Sequence, residues 1–441
     1  LLESFKIIVV NQINLFSKRK IVISVIFLIA ILIPVIYYIH NSSNALAVPS
    51  INKDPNLKIE TLVSGLSSPT SMAFVDNNNI LVLEKGGQVR LVSNGILQEK
   101  PVLQVPVDTK SERGLLGIAV MNNTNTNIAS NNFNNNDKIV FLYYTESKGE
   151  DLRNKIYKYD WNGETKILTN PTLILDLPAL PGPNHDGGKL LIGPDQYLYA
   201  IIGDLNHRGK LQNLIGGTNP DDTSVIFRVN PSDGSAASNN PFIKESSVLM
   251  HKYYAYGIRN SFGITFDPLT GNLWQTENGA NQYDEINLVK PGFNSGWIKL
   301  MGPLSRNEGI NINQLVNYPG SHFTDPIFSW KNPVAITDIE FMKSLVLGEK
   351  YKNNIFVGDY NNGNLYYFEV NSTRTGIKTD ANQNKIGLNS LVVDNEEQLS
   401  SVTFGTGFGG ISDIITGPKD GFLYVLSIID GSIYRIVPHT K

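Results

Sequence analysis

The sequence predicts an all-β chain folded as a six-bladed β-propeller, preceded by one N-terminal transmembrane helix. Three observations carry this expectation. From about residue 55 onward, short alternating apolar runs are separated by Gly, Asn, Asp and Pro with almost no helical periodicity. One strand pattern recurs six times along that stretch, and a single uninterrupted apolar segment stands near the start. At 441 residues and 41% hydrophobic content the chain exceeds one ordinary domain and is too apolar to be disordered.

Taken in order, residues 1–20 form a basic N-terminus in which Lys6, Lys18, Arg19 and Lys20 face only Glu3. Residues 21–39, IVISVIFLIAILIPVIYYI, follow directly, and about 20 such residues span a bilayer. The basic cluster precedes the run, so the positive-inside rule keeps the N-terminus cytoplasmic and translocates the rest. The expectation is a single-pass protein of the cell membrane with its large domain extracytoplasmic. Cleavage near Ala47, after the small-x-small pattern Ala45-Leu46-Ala47, would make it secreted instead. Residues 40–54 read as a linker and 55–441 as the propeller.

Each copy of the repeat leads from a first strand through a turn to a second strand rich in aromatic and β-branched residues, then through an acidic or Gly-containing loop to a third. SMAFVDNNNILVLEKGGQVRLV and KLLIGPDQYLYAIIGD are two examples. Such a sheet cannot bury both faces alone, so the copies must stack radially. The even recurrence favours a ring over two separate sandwiches. Asn122–Asp137 and Leu205–Thr223 read as loop insertions, and an early strand near Leu57–Leu62 is expected to complete the last blade. The absence of cysteine excludes disulfides and thiolate chemistry. Beyond residue 47 the chain holds 33 basic and 39 acidic residues, which argues against nucleic acid as a partner.

In an antiparallel hairpin, the residue before the first strand and the residue after the second lie at one end. His185 and Asp204 bracket one hairpin in this way, so the carboxylate can hold the imidazole's tautomer and leave the other nitrogen as a base. Arg259 comes from the next blade and can stabilise an oxyanion beside that base. Glu112 precedes the second blade. Downstream, NGANQYDEIN places the carbonyls of Gly279 and Ala280 near Asp284 and Glu285, hard oxygen donors of the kind Ca²⁺ takes. A solvated acidic turn is the plainer reading of the same residues.

ERGLLGIAV, NHDGGKLLIGPDQYLYAIIGD, YAYGIRNSFGITFDPLTGNLWQTENGANQYDEINLVKPGFNSGW and GPKDGFLYVLSIIDGSIYRI together resemble the glucose/sorbosone dehydrogenase family over roughly residues 55–437. That family contains soluble aldose dehydrogenases that use pyrroloquinoline quinone. The resemblance implies a quinoprotein that oxidises an aldose to its lactone and passes electrons to an unknown acceptor. His185 would be the general base, Asp204 its orienting partner, Arg259 the group that polarises the quinone and Asn260 its cofactor-contacting neighbour, with Glu112 near the cofactor. Gly279 and Ala280 would bind a Ca²⁺ that grips the cofactor, and Asp284 and Glu285 a second, structural one. Against the family pattern, two arginines before the last blade are replaced in the stretch Gly410-Ile411-Ser412, and a lysine after the fifth blade's second strand is replaced by Asn361. A calcium-dependent lactone or phosphoester hydrolase and a non-catalytic extracytoplasmic binding module are the other readings of such a mouth.

Overall fold

The computed structural model describes residues 48–122, 137–148 and 151–439. Its strands form six mainly antiparallel sheets in chain order. Blade 1 is built from Pro69–Phe74, Asn79–Glu84 and Gln88–Ser93, with Ile96–Leu97 and Leu103–Gln104 along its outer edge. Blade 2 follows with Leu115–Asn122, Lys138–Lys148, Asp151–Asn162 and Ile167–Pro178. In blade 3, Leu190–Ile192, Leu198–Ile202, Val225–Val229 and Tyr253–Tyr256 pair in sequence. Blade 4 uses Gly263–Phe266, Leu273–Glu277, Asp284–Val289 and Phe328–Trp330. Blade 5 uses Ile336–Phe341, Ile355–Asp359, Leu365–Val370 and Thr403–Thr406.

Blade 6 closes the ring as expected. Its strands Ile411–Thr416, Leu423–Ser427 and Ser432–Pro438 are completed by Leu57–Val63, which pairs antiparallel with the last of them from Leu57↔Pro438 to Val63↔Ile433. The innermost strand of each blade packs against those of its two neighbours all the way round.

The alternation of each strand explains why the blades stack. In Asn79–Glu84, Leu81 and Leu83 pack against blade 2, while Ile80 and Val82 pack against blade 6. In Lys138–Lys148, Phe141 and Tyr143 turn to blade 3 and Val140, Leu142 and Tyr144 to blade 1. Both faces of a middle strand are therefore buried, so these strands are apolar on both sides rather than alternating as the sequence pattern suggested. Six apolar seams result, one between each pair of neighbouring blades.

A polar knot lies on the ring axis. The Lys189 ammonium, from blade 3, meets Asp413 Oδ1 of blade 6 at 2.7 Å and Asp338 Oδ2 of blade 5 at 2.9 Å. Asp413 Oδ2 accepts hydrogen bonds from Ser71 Oγ (2.7 Å) and the Met72 N–H (2.6 Å) of blade 1. Burial opposes ionisation of both acids. At Asp413 the lysine outweighs it and the carboxyl is held below its ordinary range, whereas Asp338 is driven well above.

One expectation is corrected. The transmembrane helix over 21–39 lies outside the described residues, and among the described residues no helix is long and apolar enough to cross a membrane. The longest helix there is the seven-residue Glu396–Val402, against the roughly 20 residues a span requires. Single-pass topology, the membrane as a partner and an extracytoplasmic location at the cell membrane are therefore not carried further. The insertion expected at Asn122–Asp137 also falls almost wholly outside the described residues.

Candidate active site

Blade 3 sets the geometry. Leu190↔Ala200 register in its first hairpin, together with the Gly188 N–H bonded to the Ile201 carbonyl at 2.9 Å, brings the two flanks of the hairpin to the same mouth. There His185 Nδ1 and Asp204 Oδ1 stand 2.5 Å apart. His185 is itself left-handed, at φ 67°, an uncommon conformation for a non-glycine residue that the surroundings must enforce. One of its restraints is Glu112, whose Oε2 accepts the His185 N–H at 2.7 Å and Asn260 Nδ2 at 3.0 Å. Glu112 thus ties the histidine to the segment that leads into blade 4 rather than standing free.

Gly203 allows the convergence. A Cβ on it would fall 2.5 Å from the carbonyl oxygens of both His185 and Arg259, so no side chain fits where these three segments meet. The next residue, Asp204, donates its N–H to the Arg259 carbonyl at 2.8 Å. Its carboxylate is almost fully occupied: Oδ1 also accepts the Asn206 N–H (2.7 Å), and Oδ2 accepts the Trp297 indole N–H (2.6 Å). An ionised carboxylate only accepts, so His185 Nδ1 carries the proton and Nε2 is left with the lone pair that a base needs.

Arg259 is fixed from below. Its N–H donates to Glu277 Oε1 (2.8 Å), Nη1 donates to the Asn278 carbonyl (3.0 Å), and the guanidinium lies 5.3 Å over the Trp297 ring. Burial lowers its pKa against the raising influence of Asp204, Glu112, Glu277 and Asp284. His185, Arg259, Asn260, Glu112, Gly279 and Asp284 all line one cavity of about 550 Å³, whose other walls include Leu116, Phe262, Ile411 and Tyr360. The structure therefore gathers into one place His185, Asp204, Arg259 and Asn260.

The acidic loop is arranged differently. Asp284 Oδ1 accepts the Gly279 N–H at 2.9 Å, and Oδ2 accepts the N–H groups of Val334 (2.8 Å), Ala335 (2.7 Å) and Ile336 (3.3 Å). Four peptide dipoles point where a cation would sit. Glu285 accepts from the Gly302 N–H and from Asn287 Nδ2, and Ala280 is exposed away from the cavity wall. Burial pushes Glu277 up to about 7, and burial with the Glu277 charge opposite pushes Glu285 up to about 8. Among the described residues no group of three or more His, Asp or Glu is placed to hold a metal. The carboxylates of Asp284 and Glu285 are thus engaged by N–H donors rather than gathered with a third acidic side chain.

Pyrroloquinoline quinone can be tested against the cavity walls. Arg259 Nε–H, buried without a partner among the described residues, and the second N–H of Asn260 Nδ2, whose first bonds to Glu112, are donors that would suit its dione. The volume also suits a fused tricyclic ring plus a sugar. At the carboxylate end Ser412 turns its hydroxyl to the Pro69 carbonyl (2.8 Å) and Asn361 is neutral, while Lys85 lines the wall with its ammonium held by the carbonyls of Thr109 and Ser111. The residues fit the quinone, with one rim cation in place of the family's three.

A profile described as Glucose / Sorbosone dehydrogenase matches residues 66–435, almost the whole ring. The chain belongs to the glucose/sorbosone dehydrogenase family. This member is 26% identical over 388 residues to the aldose sugar dehydrogenase YliI of Escherichia coli, covering 87% of this chain and 93% of that one. It is 31% identical over 274 residues to quinoprotein glucose dehydrogenase B of Acinetobacter calcoaceticus, covering 57% of this chain and 54% of that protein, about half its length. Among solved structures, a putative oxidoreductase (glucose dehydrogenase) from Thermus thermophilus superposes with a TM-score of 0.65 at 26% identity, covering 86% of this chain and 100% of that one.

Trp297 and Gly203 at this dehydrogenase-family site carried no signal in the sequence, whereas Glu277 and Asp186 stand at strand ends that the repeat places at one mouth. Asp186 makes a prediction. It is wholly buried, with Oδ1 bonded to Asn154 Nδ2 (3.0 Å) and Oδ2 without a partner among the described residues, and burial pushes it up to about 7. The folded state therefore keeps a proton that the unfolded chain has lost, so stability falls as pH rises from about 4 to about 7 and the loss is complete above that. Asp186→Asn removes this dependence. Urea unfolding at pH 5 and pH 8 should show wild type losing about 3 kcal/mol more than the variant between the two; equal losses would refute the assignment.

Proposed function

We propose that this chain is an oxidoreductase of sugar CH–OH groups that oxidises an aldose to its lactone, with His185 as the general base and pyrroloquinoline quinone as hydride acceptor. The observation that carries the reading is the pairing of His185 Nδ1 with an almost fully engaged Asp204, beside Arg259 on one cavity. Family membership and the sugar dehydrogenases among the relatives support it.

The chain's own residues define the chemistry. His185 Nε2 accepts the proton of the hydroxyl on the carbon to be oxidised, and Asp204 stabilises the imidazolium that forms. Arg259 and Asn260 would hold the quinone's dione and Lys85 its carboxylates. When bound, the quinone supplies the two-electron acceptor. Leu116, Phe262 and Ile411 make the cavity wall partly apolar, which strengthens the electrostatics around Arg259 by excluding water.

The test is a calorimetric titration of the quinone into the purified chain, followed by aldoses with an artificial dye as final acceptor. Saturable binding and quinone-dependent dye reduction are expected. Binding without dye reduction for any aldose would overturn the enzymatic reading, and turnover without quinone would overturn the acceptor.

A further inference from the structure

Two of the site's essential groups share a neighbour that does not line the cavity. Trp297 follows Phe293–Asn294, the strand that adds in parallel to Tyr253–Tyr256 on blade 3. Its main chain is pinned on both sides: its N–H bonds to the Gly257 carbonyl (3.1 Å), its carbonyl accepts from Asn213 Nδ2 (2.8 Å), and the Ile298 N–H bonds to the Gln212 carbonyl (2.9 Å). Asn213 is wholly buried and also bridges to Asn294 through both ends of its amide. The loop insertion at Leu205–Thr223 thus serves as a bracket that aims one indole back at the mouth.

That indole has two uses. Its N–H donates to Asp204 Oδ2 at 2.6 Å, and its face carries the Arg259 guanidinium at 5.3 Å. The two Asp204 oxygens therefore have different donors, imidazole and Asn206 N–H on one, indole on the other. Remove the indole N–H, and a buried anionic oxygen is left without a donor and the carboxylate is free to turn about its Cβ–Cγ bond. Remove the ring as well, and the guanidinium loses a cation–π contact that limits its tilt.

We infer that Trp297 is a positioning residue that fixes the base's carboxylate partner and the cavity's cation in one arrangement. This rests on the reading of His185 as the base, and it acts through Asp204 and Arg259 without touching substrate. Because the interaction matters most when the imidazolium forms, its loss should lower kcat and kcat/KM together and leave KM unchanged.

The experiment compares Trp297→Phe, which keeps a ring over Arg259 and loses the N–H, with Trp297→Leu, which loses both. The readouts are dye-linked kinetics with quinone, the downfield proton NMR resonance of the short His185 Nδ1–H to Asp204 bond, and the melting temperature. Trp297→Phe is expected to lose about tenfold or more in kcat with KM and melting temperature preserved, and to broaden or displace the resonance. Trp297→Leu should lose more. Retention of kcat within about twofold in Trp297→Phe, or a fall in rate matched by loss of folded protein with an unmoved resonance, would overturn the inference. If wild type turns over no sugar while the resonance still changes in Trp297→Phe, the positioning role stands and the dehydrogenase reading falls.

Discussion

Replacing His185 by asparagine is expected to lower kcat by about a thousandfold, the scale of a lost general base, while leaving quinone binding in place. Asparagine is the better substitution because position 185 is left-handed at φ 67°. Asn tolerates that region where Ala is strained. The variant keeps the His185 main-chain N–H to Glu112 Oε2 and so keeps the link to Asn260. Dye-linked steady-state kinetics across several aldoses, with a quinone titration on the same preparation, checks both halves. A rate within about tenfold of wild type would show that the imidazole is not the base, whatever the quality of its hydrogen bond to Asp204.

Replacing Lys189 by methionine is expected to have the largest effect on stability. The substitution conserves much of the stem but leaves Asp413 and Asp338 facing each other in the interior without the cation that joins them. Breaking one side of a buried ionic group costs about 3–5 kcal/mol, because the remaining charge has no water to return to. Urea unfolding measures it. The double variant Lys189→Met with Asp413→Asn should recover part of the loss, since the orphaned charge is then gone. A single-variant loss below about 1 kcal/mol would mean that the lysine does not hold the knot together.

The ring was legible because its physics is local and repeated. A strand such as Leu198–Ile202 that is apolar at every position, bounded by turns and recurring, has no way to be satisfied except between two similar sheets. The pairing of His185 with Asp204 was legible for the same reason, since hairpin register alone puts both at one end. Arg259 followed from being at the same relative place in the next copy. What escaped the sequence depends on contacts between loops. Trp297 reaches Asp204 only because the Leu205–Thr223 insertion and Asn294 bracket its backbone, and no spacing encodes that. Asp284 looked like a hard cation ligand by composition, yet Val334, Ala335 and Ile336, some fifty residues on, supply the N–H groups that engage it. Lys189 sits in GGKLLIG like any strand-edge lysine. Only closure of the circle brings two aspartates from blades 5 and 6 across the axis to meet it.

The strand Leu57–Val63 has a consequence for how such a chain comes to be. The outermost position of the final sheet is filled by one of the earliest described residues, pairing with the last residues described, out to Pro438. A nascent chain emerging from the ribosome can assemble its middle sheets one after another, but that early segment must wait, unpaired, until Ser432–Pro438 has been made. Its late annealing sets the moment of circularisation. A permuted gene that joined Ser432–Pro438 to Leu57–Val63 by a short linker and opened the chain in a peripheral loop would turn this most distant pairing into a local hairpin.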